Sequence, residues 1–457
     1  MSEKDSIHVV ILAAGQGTRM RSSLPKVLHP IGGKPMLSHV IDTARDLNSH
    51  QISVIYGHGG QQVKDTIQDE SLNWVEQKEQ LGTGHAVMQA AKLFKDNDVV
   101  LILYGDVPLI KTETLTEVAR SGSVGFGLLT VHLDDPGGYG RIVRDEHANV
   151  IAIVEEKDAS DTQKVITEIN TGILATRGKN LKQWLSNLDN NNVQKEYYLT
   201  DIISMSVNDG IAVETIHPED QFEVAGVNSR EQLAELEGIL QERQVQHLMA
   251  QGVSFQDPSR FDLRGSVETG QDVFIDSNVI LEGKIKIGNN VRIGANCVIR
   301  NTVIEDNVEI LPMCMIEDAV IGENSRVGPF ARLRPGAKLK SATHIGNFVE
   351  IKNSEIGNGS KVNHLSYIGD TSMGEGVNIG AGTITANYDG ANKHRTTIED
   401  NASTGSNSVL VAPVKVGKGA TLGAGTVLTS DAPENELTIT RVKQKSIKGW
   451  QRPSKKK

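Results

Sequence analysis

Aromatic residues are scarce in this chain. Tryptophan, tyrosine and phenylalanine make up 4% of its 457 residues, too few for cores built on large rings. Cysteine is nearly absent. Cys297 and Cys314 are the only two, which excludes a disulfide scaffold and agrees with a reducing, cytoplasmic setting. Both sit in an aliphatic stretch and read as small buried residues. Basic charge is not in excess either. The formal net charge is −10, so no general nucleic-acid-binding surface is expected, and Lys455-Lys456-Lys457 reads as a solvated tail. Long apolar runs are also missing. Val9 to Ala14 is the length of one buried strand, so neither a signal peptide nor a membrane span is expected.

What the second half has instead is a clock. Val273, Val279, Ile285, Val291, Cys297 and Val303 are six apart. Val327, Leu333, Leu339, Ile345 and Ile351 keep the same step, as do Leu410, Val416, Leu422 and Leu428. Gly, Asn, Asp and Ser fill the gaps. Neither a helix nor an alternating strand has this period. A hexapeptide repeat predicts a parallel β-helix, with short strands stacked coil on coil and the aliphatic residues pointing inward. At three hexapeptides per coil, the region from Gly252 to about Pro433 gives roughly nine or ten coils. The rhythm fails between Ile384 and Ser406, where Ala386 to Asn392 intrudes. Such an insertion must leave as a loop, and loops of this kind commonly carry function.

Residues 1–229 alternate apolar runs (Val9 to Leu12, Ile52 to Ile55, Val99 to Leu103) with helix-like stretches such as Met36 to Leu47 and Gly84 to Leu93. This is the βαβ pattern of a doubly wound α/β domain with a mainly parallel sheet. A charged helix over 230–251 joins it to the repeat region, 252–457.

Three segments of the first domain carry chemistry. Leu12-Ala13-Ala14-Gly15-Gln16-Gly17-Thr18-Arg19-Met20 follows the first strand, and Leu24-Pro25-Lys26 comes soon after. Glycines in such a turn let backbone N–H groups approach an anion. Gln77 and Leu81-Gly82-Thr83-Gly84 form the second. The third, Leu103-Tyr104-Gly105-Asp106-Val107-Pro108, puts a carboxylate at a strand's C-terminal end, where ligands of open α/β sheets collect. Read singly, these segments are also a tight turn, a capped helix start and a turn-forming Asp. Together they resemble the sugar-nucleotide pyrophosphorylase family. The resemblance implies that Leu12, Ala13, Ala14, Gly15, Arg19, Lys26, Tyr104 and Gly105 surround UTP, with Arg19 and Lys26 as cations for the triphosphate. It implies that Gln77, Gly82 and Thr83 read the nucleobase. Asp106 and Asn228 would hold Mg²⁺, and Gly140, Glu155 and Asn170 would bind the sugar. The implied reaction is in-line attack of a sugar-1-phosphate on the α-phosphorus with loss of pyrophosphate.

In the repeats, His364 is a candidate base for acyl transfer, since histidine as a residue type suits proton transfer near neutrality. Arg332-Leu333-Arg334-Pro335-Gly336, Gly346 to Lys352, His364, Tyr367 and Gly380 to Gly390 extend the resemblance over essentially the whole chain. It is similar to the bacterial bifunctional family that acetylates glucosamine-1-phosphate and then forms UDP-N-acetylglucosamine, a precursor for peptidoglycan and lipopolysaccharide. By that resemblance Arg334 and Lys352 would hold the sugar phosphate. Tyr367, Asn378, Asn387 and Tyr388 would surround the glucosamine and acetyl groups. Ala381, Asn387, Tyr388, Ser406, Ala424 and Arg441 would contact acetyl-CoA. Glu350 would help orient the His364 region. A homotrimer and a left-handed coil are likewise implied, although general crossover rules favour the right hand. Two alternatives stay open: a monofunctional pyrophosphorylase with a structural or regulatory β-helix, and a catalytically dead regulatory subunit. The second would be expected to lose Lys26 or Asp106, and both are present.

Overall fold

The computed structural model describes residues 6–15, 17–57, 59–453 and 455. Gln16 of the glycine turn and Lys456 and Lys457 of the tail lie outside them. The chain forms two compact units, 1–240 and 241–457. The helix Arg230–Ala250 runs across that division.

In the first unit a nine-stranded sheet runs 213–216, 126–132, 168–177, 99–104, 7–13, 51–56, 73–76, with 141–144 attached to 168–177 and 150–154 attached to 141–144. Strand 7–13 is parallel to both 51–56 and 99–104. Strand 168–177 runs antiparallel to its neighbours 99–104 and 126–132. Both faces of the central strands are buried because their residues are apolar in both alternating sets. Val9 and Ile11 pack under the helices Met36–Asp46 and Thr112–Val124, whereas Val10 and Leu12 pack under Thr83–Ala90 and Gly178–Leu185. Strand order changes direction between 7–13 and 99–104, which opens a crevice beyond their C-terminal ends.

The second unit is a parallel β-solenoid, as the hexapeptide period predicts. An eleven-stranded sheet forms one face and a seventeen-stranded sheet wraps the rest. Leu281, Ile299, Ile316, Leu333, Ile351 and Ile368 stack one per coil, all fully buried or nearly so. Each replaces the bulk of an aromatic ring with one branched chain, which explains the low aromatic content. Cys297 and Cys314 are free, buried residues of a parallel row. One position of the clock needs correction. Val303 does not point inward but is 38% exposed, and Thr302 fills the inward place. The coil is one residue short there: Ile280 pairs with Val298, 18 on, but Lys286 pairs with Val303, 17 on. At the insert the coil is longer, so that Thr371 pairs with Thr396. Among the described residues no helix is long and apolar enough to cross a membrane.

Candidate functional sites

The crevice of the first unit is a cavity of about 520 Å³, within the range of small-molecule sites. Leu12, Ala13, Ala14, Gly15, Lys26, Gln77, Gly82, Thr83, Tyr104, Asp106, Gly140, Glu155, Asn170 and Asn228 all line it. Gly105 and Arg19 do not. Gly105 packs behind the wall, where a Cβ would meet Leu37, Val27 and Ala13 at 3.2–3.4 Å. Arg19 lies exposed on the turn Thr18–Met20, where its charge acts on Tyr139 at the cavity edge. Its turn is set by Gly17, in the left-handed region at φ 60.

Lys26 Nζ donates to Asp106 Oδ2 (2.5 Å) and to Asn228 Oδ1 (3.0 Å). Asp106 comes from the end of strand 99–104 and Asn228 from the segment before the long helix. Their oxygens therefore converge on one cationic point. One or two protein oxygens plus substrate phosphates suffice for a hard divalent ion, so this donor set fits Mg²⁺. Among the described residues, His132, Glu168 and His217 also gather. Arg144 grips both oxygens of Glu168 at 2.8 and 2.6 Å, and the two imidazoles stack at 5.6 Å. Stacked rings send their lone pairs side by side rather than toward one ion, so this cluster is an ion pair with flanking histidines.

At one end of the cavity Gln77 is buried, and its Nε2 donates to Gly82 O at 3.2 Å. Thr83 Oγ1 accepts the Leu199 N–H at 3.2 Å. Gln77 Oε1 remains as an acceptor, and the Thr83 hydroxyl proton remains to donate. On another wall a break in register between Asn170 and Leu174 swings Asn170-Thr171-Gly172 toward the cavity. Gly172, at φ 83, sits against the Tyr104 ring, where a Cβ would clash. Glu155 Oε1 accepts from Thr200 Oγ1 at 3.0 Å. Burial, then Asp158 and Glu196, raises the Glu155 carboxyl above the usual range, opposed by the Thr200 hydrogen bond. Sequence reasoning missed Thr200, Glu196 and Gln80, which also line the cavity. Glu196 and Thr200 come from a stretch without a motif, Thr200 on the short helix Leu199–Asp201, whereas Gln80 lies between Gln77 and Leu81 of the second segment.

On the solenoid, His364 is exposed and its Nδ1 lies 2.8 Å from Asn347 Oδ1. An amide oxygen only accepts, so in the neutral imidazole Nδ1 carries the proton and Nε2 the lone pair. The next coils repeat this corner. Gly382 N–H donates to His364 O, Asn407 N–H to Ala381 O, Gly425 N–H to Ser406 O, and Arg441 Nε to Ala424 O. His364, Ala381, Ser406, Ala424 and Arg441 thus form one column along the corner.

On the face beside that corner, Arg334 donates to Glu350 at 2.8 Å, and Glu350 pairs in register with Tyr367. The Lys352 ammonium is held below the usual lysine range, first by Lys393 and also by desolvation and Arg334. Lys393 belongs to the insert and was not singled out in the sequence. The insert folds back through a bridge between Tyr388 and Lys393, and Asn387 is anchored on Asp370 (Nδ2 to Oδ2, 2.5 Å). Tyr388 stays exposed, its hydroxyl donating to Gly390 O. Asn378 is not brought into this group. It lies around the corner, paired with Lys361 and Ser403 on the eleven-stranded face.

With this geometry in place, the comparisons with known families fall on both units. A model of the MobA-like NTP transferase domain matches residues 9–164. A model of the GMPPB C-terminal domain matches 263–337, and the bacterial transferase hexapeptide (six repeats) matches 395–430. The chain is therefore similar to a nucleotidyltransferase at one end and to hexapeptide transferases at the other. Both matches support a transferase.

Proposed function

We propose that the chain is a bifunctional enzyme of UDP-N-acetylglucosamine synthesis. The solenoid acetylates glucosamine-1-phosphate from acetyl-CoA, and the α/β unit couples the product to UTP. The observation that carries the second activity is the solenoid constellation. His364 offers Nε2 at the corner, and the face beside that corner carries three cations, Arg334, Lys352 and Lys393, against two carboxylates, Glu350 on Arg334 and Asp370 near Lys352. A sugar phosphate supplies the missing charge. The amine nitrogen attacks the thioester carbonyl, His364 Nε2 takes the amine proton, and the CoA thiolate leaves. Asn347 keeps the ring in the tautomer that can accept.

In the α/β unit Gly15 leaves open space above the turn, into which a phosphate can approach backbone. A bound Mg²⁺ on Asp106 and Asn228 would neutralise phosphate charge. Lys26 adds a cation, and Gln77 Oε1 with the Thr83 hydroxyl forms an acceptor–donor pair that matches the N3–H and a carbonyl of uracil. Glu155, Asn170 and the Gly140 backbone face the sugar hydroxyls and acetamide. The sugar phosphate oxygen then displaces pyrophosphate from the α-phosphorus.

We further propose a trimer. Met313, Phe330, Phe348 and Leu365 follow one another up the His364 corner, all at least 48% exposed. All four hold a left-handed backbone at φ 50–64, where flanking coils use Asn296 and Gly382. Exposed apolar groups in a strained conformation fit burial against other copies, next to the catalytic face. The monofunctional alternative has the match over 263–337 in its favour, since that match ends before Lys352, His364 and the insert. Mixing the purified protein with glucosamine-1-phosphate and acetyl-CoA separates the two. CoA release is expected on the bifunctional reading, and its absence would leave the solenoid without an acetyltransferase role.

A further inference from the structure

Lys26 occupies the oxygens that the proposed function gives to a divalent ion. Its ammonium bridges Asp106 Oδ2 and Asn228 Oδ1, and both Lys26 and Asp106 are largely shielded from water. An ammonium and a divalent cation cannot share these atoms without strong repulsion. The lysine stem is held in place, since Gly17 packs so closely on it that a Cβ there would lie 2.6 Å from Lys26 Cβ. Its end can swing, however. Gly15 on the same turn faces open space, where an anionic triphosphate would offer the ammonium new partners.

We propose that Lys26 is an internal counter-ion that makes metal binding depend on the triphosphate. Without nucleotide, Lys26 neutralises Asp106 and keeps a divalent ion out. A bound triphosphate draws the ammonium away and bares Asp106 and Asn228, so nucleotide and metal bind cooperatively, each raising the affinity for the other by the same factor. Metal loading before nucleotide is thereby suppressed. This inference rests on the assignment of Asp106 and Asn228 as the metal's protein ligands.

The test is Mn²⁺ binding to the full-length protein, followed by electron paramagnetic resonance. It is run with and without α,β-methylene-UTP, and corrected for Mn²⁺ bound by free nucleotide. Wild type is expected to bind Mn²⁺ weakly alone and tightly with the analogue. Lys26→Met should bind Mn²⁺ alone about tenfold more tightly than wild type, and Lys26→Arg, which keeps the charge, should not. Asp106→Asn should lose the tight site in either state. If Asp106→Asn retains it, the ligand assignment fails and the inference with it. If Asp106→Asn loses it while Lys26→Met binds Mn²⁺ no better than wild type, the site stands and the counter-ion role is wrong. Thermal scans of each variant confirm that the protein measured is folded.

Discussion

At the scale of single residues, Thr83 accepts the Leu199 N–H with one lone pair and still has its hydroxyl proton to give. Thr83→Val keeps the shape and removes that donor. A base carbonyl buried without its partner costs about 1–3 kcal/mol, so kcat/KM for UTP should fall by roughly tenfold to a hundredfold. Steady-state kinetics showing no change would remove Thr83 from base recognition. Asp201 makes a different kind of claim. Burial first, then Asp189, Glu155 and Asp158, pushes its carboxyl from 3.8 up to about 6. Between those values the folded protein holds a proton that the unfolded chain has released. The stability contributed by this group therefore falls as pH rises through the window. Asp201→Asn cannot ionise, so its Tm should exceed that of wild type near pH 8 and match it near pH 4. Equal Tm differences at both would contradict the assignment.

The solenoid coils show how local choices add up. The cost of a non-glycine residue in the left-handed region is about 1 kcal/mol or more, and Phe348 bears it while exposing its ring. Phe348→Asn should then act in two directions. The dilute, dissociated protein should unfold at no lower urea concentration than wild type, while sedimentation equilibrium should show weaker assembly. A variant that assembles as well as wild type would show that this corner is not an interface. Much of this element is legible in the sequence, because inward rows such as Leu281 to Ile368 take branched apolar groups and so repeat visibly, even though small polar residues such as Thr302 fill other inward places. Val303 misleads because a coil can drop one residue at a corner such as Asn301, and six-step counting cannot see the omission. The insert is visible as a broken rhythm. That it brings Lys393 against Lys352 is not, since chain spacing says nothing of where a loop returns. The same limit applies to the first unit. Asp106 and Gly15 stand at strand ends and announce themselves, whereas Thr200 and Glu196 reach the cavity from a distant stretch of chain. Arg19 sits in the same motif as Gly15 yet points outside the cavity, because the left-handed residue Gly17 turns the chain between them.

Across the whole molecule, two units carry two constellations with no residue in common. Chelation with EDTA should abolish uridylyl transfer and leave acetyl transfer nearly intact, because the His364 chemistry needs no metal. Equal loss of both would place a metal in the solenoid reaction or in the fold itself. The most direct test of two independent sites is to measure CoA release and pyrophosphate release in both Asp106→Ala and His364→Ala. Asp106→Ala should lower pyrophosphate release by about 10³-fold or more and leave CoA release unchanged. His364→Ala should lower CoA release by about 10²–10⁴-fold and leave pyrophosphate release from N-acetylglucosamine-1-phosphate and UTP unchanged. If each variant instead loses both activities, the two constellations act as one shared site and the bifunctional assignment is wrong.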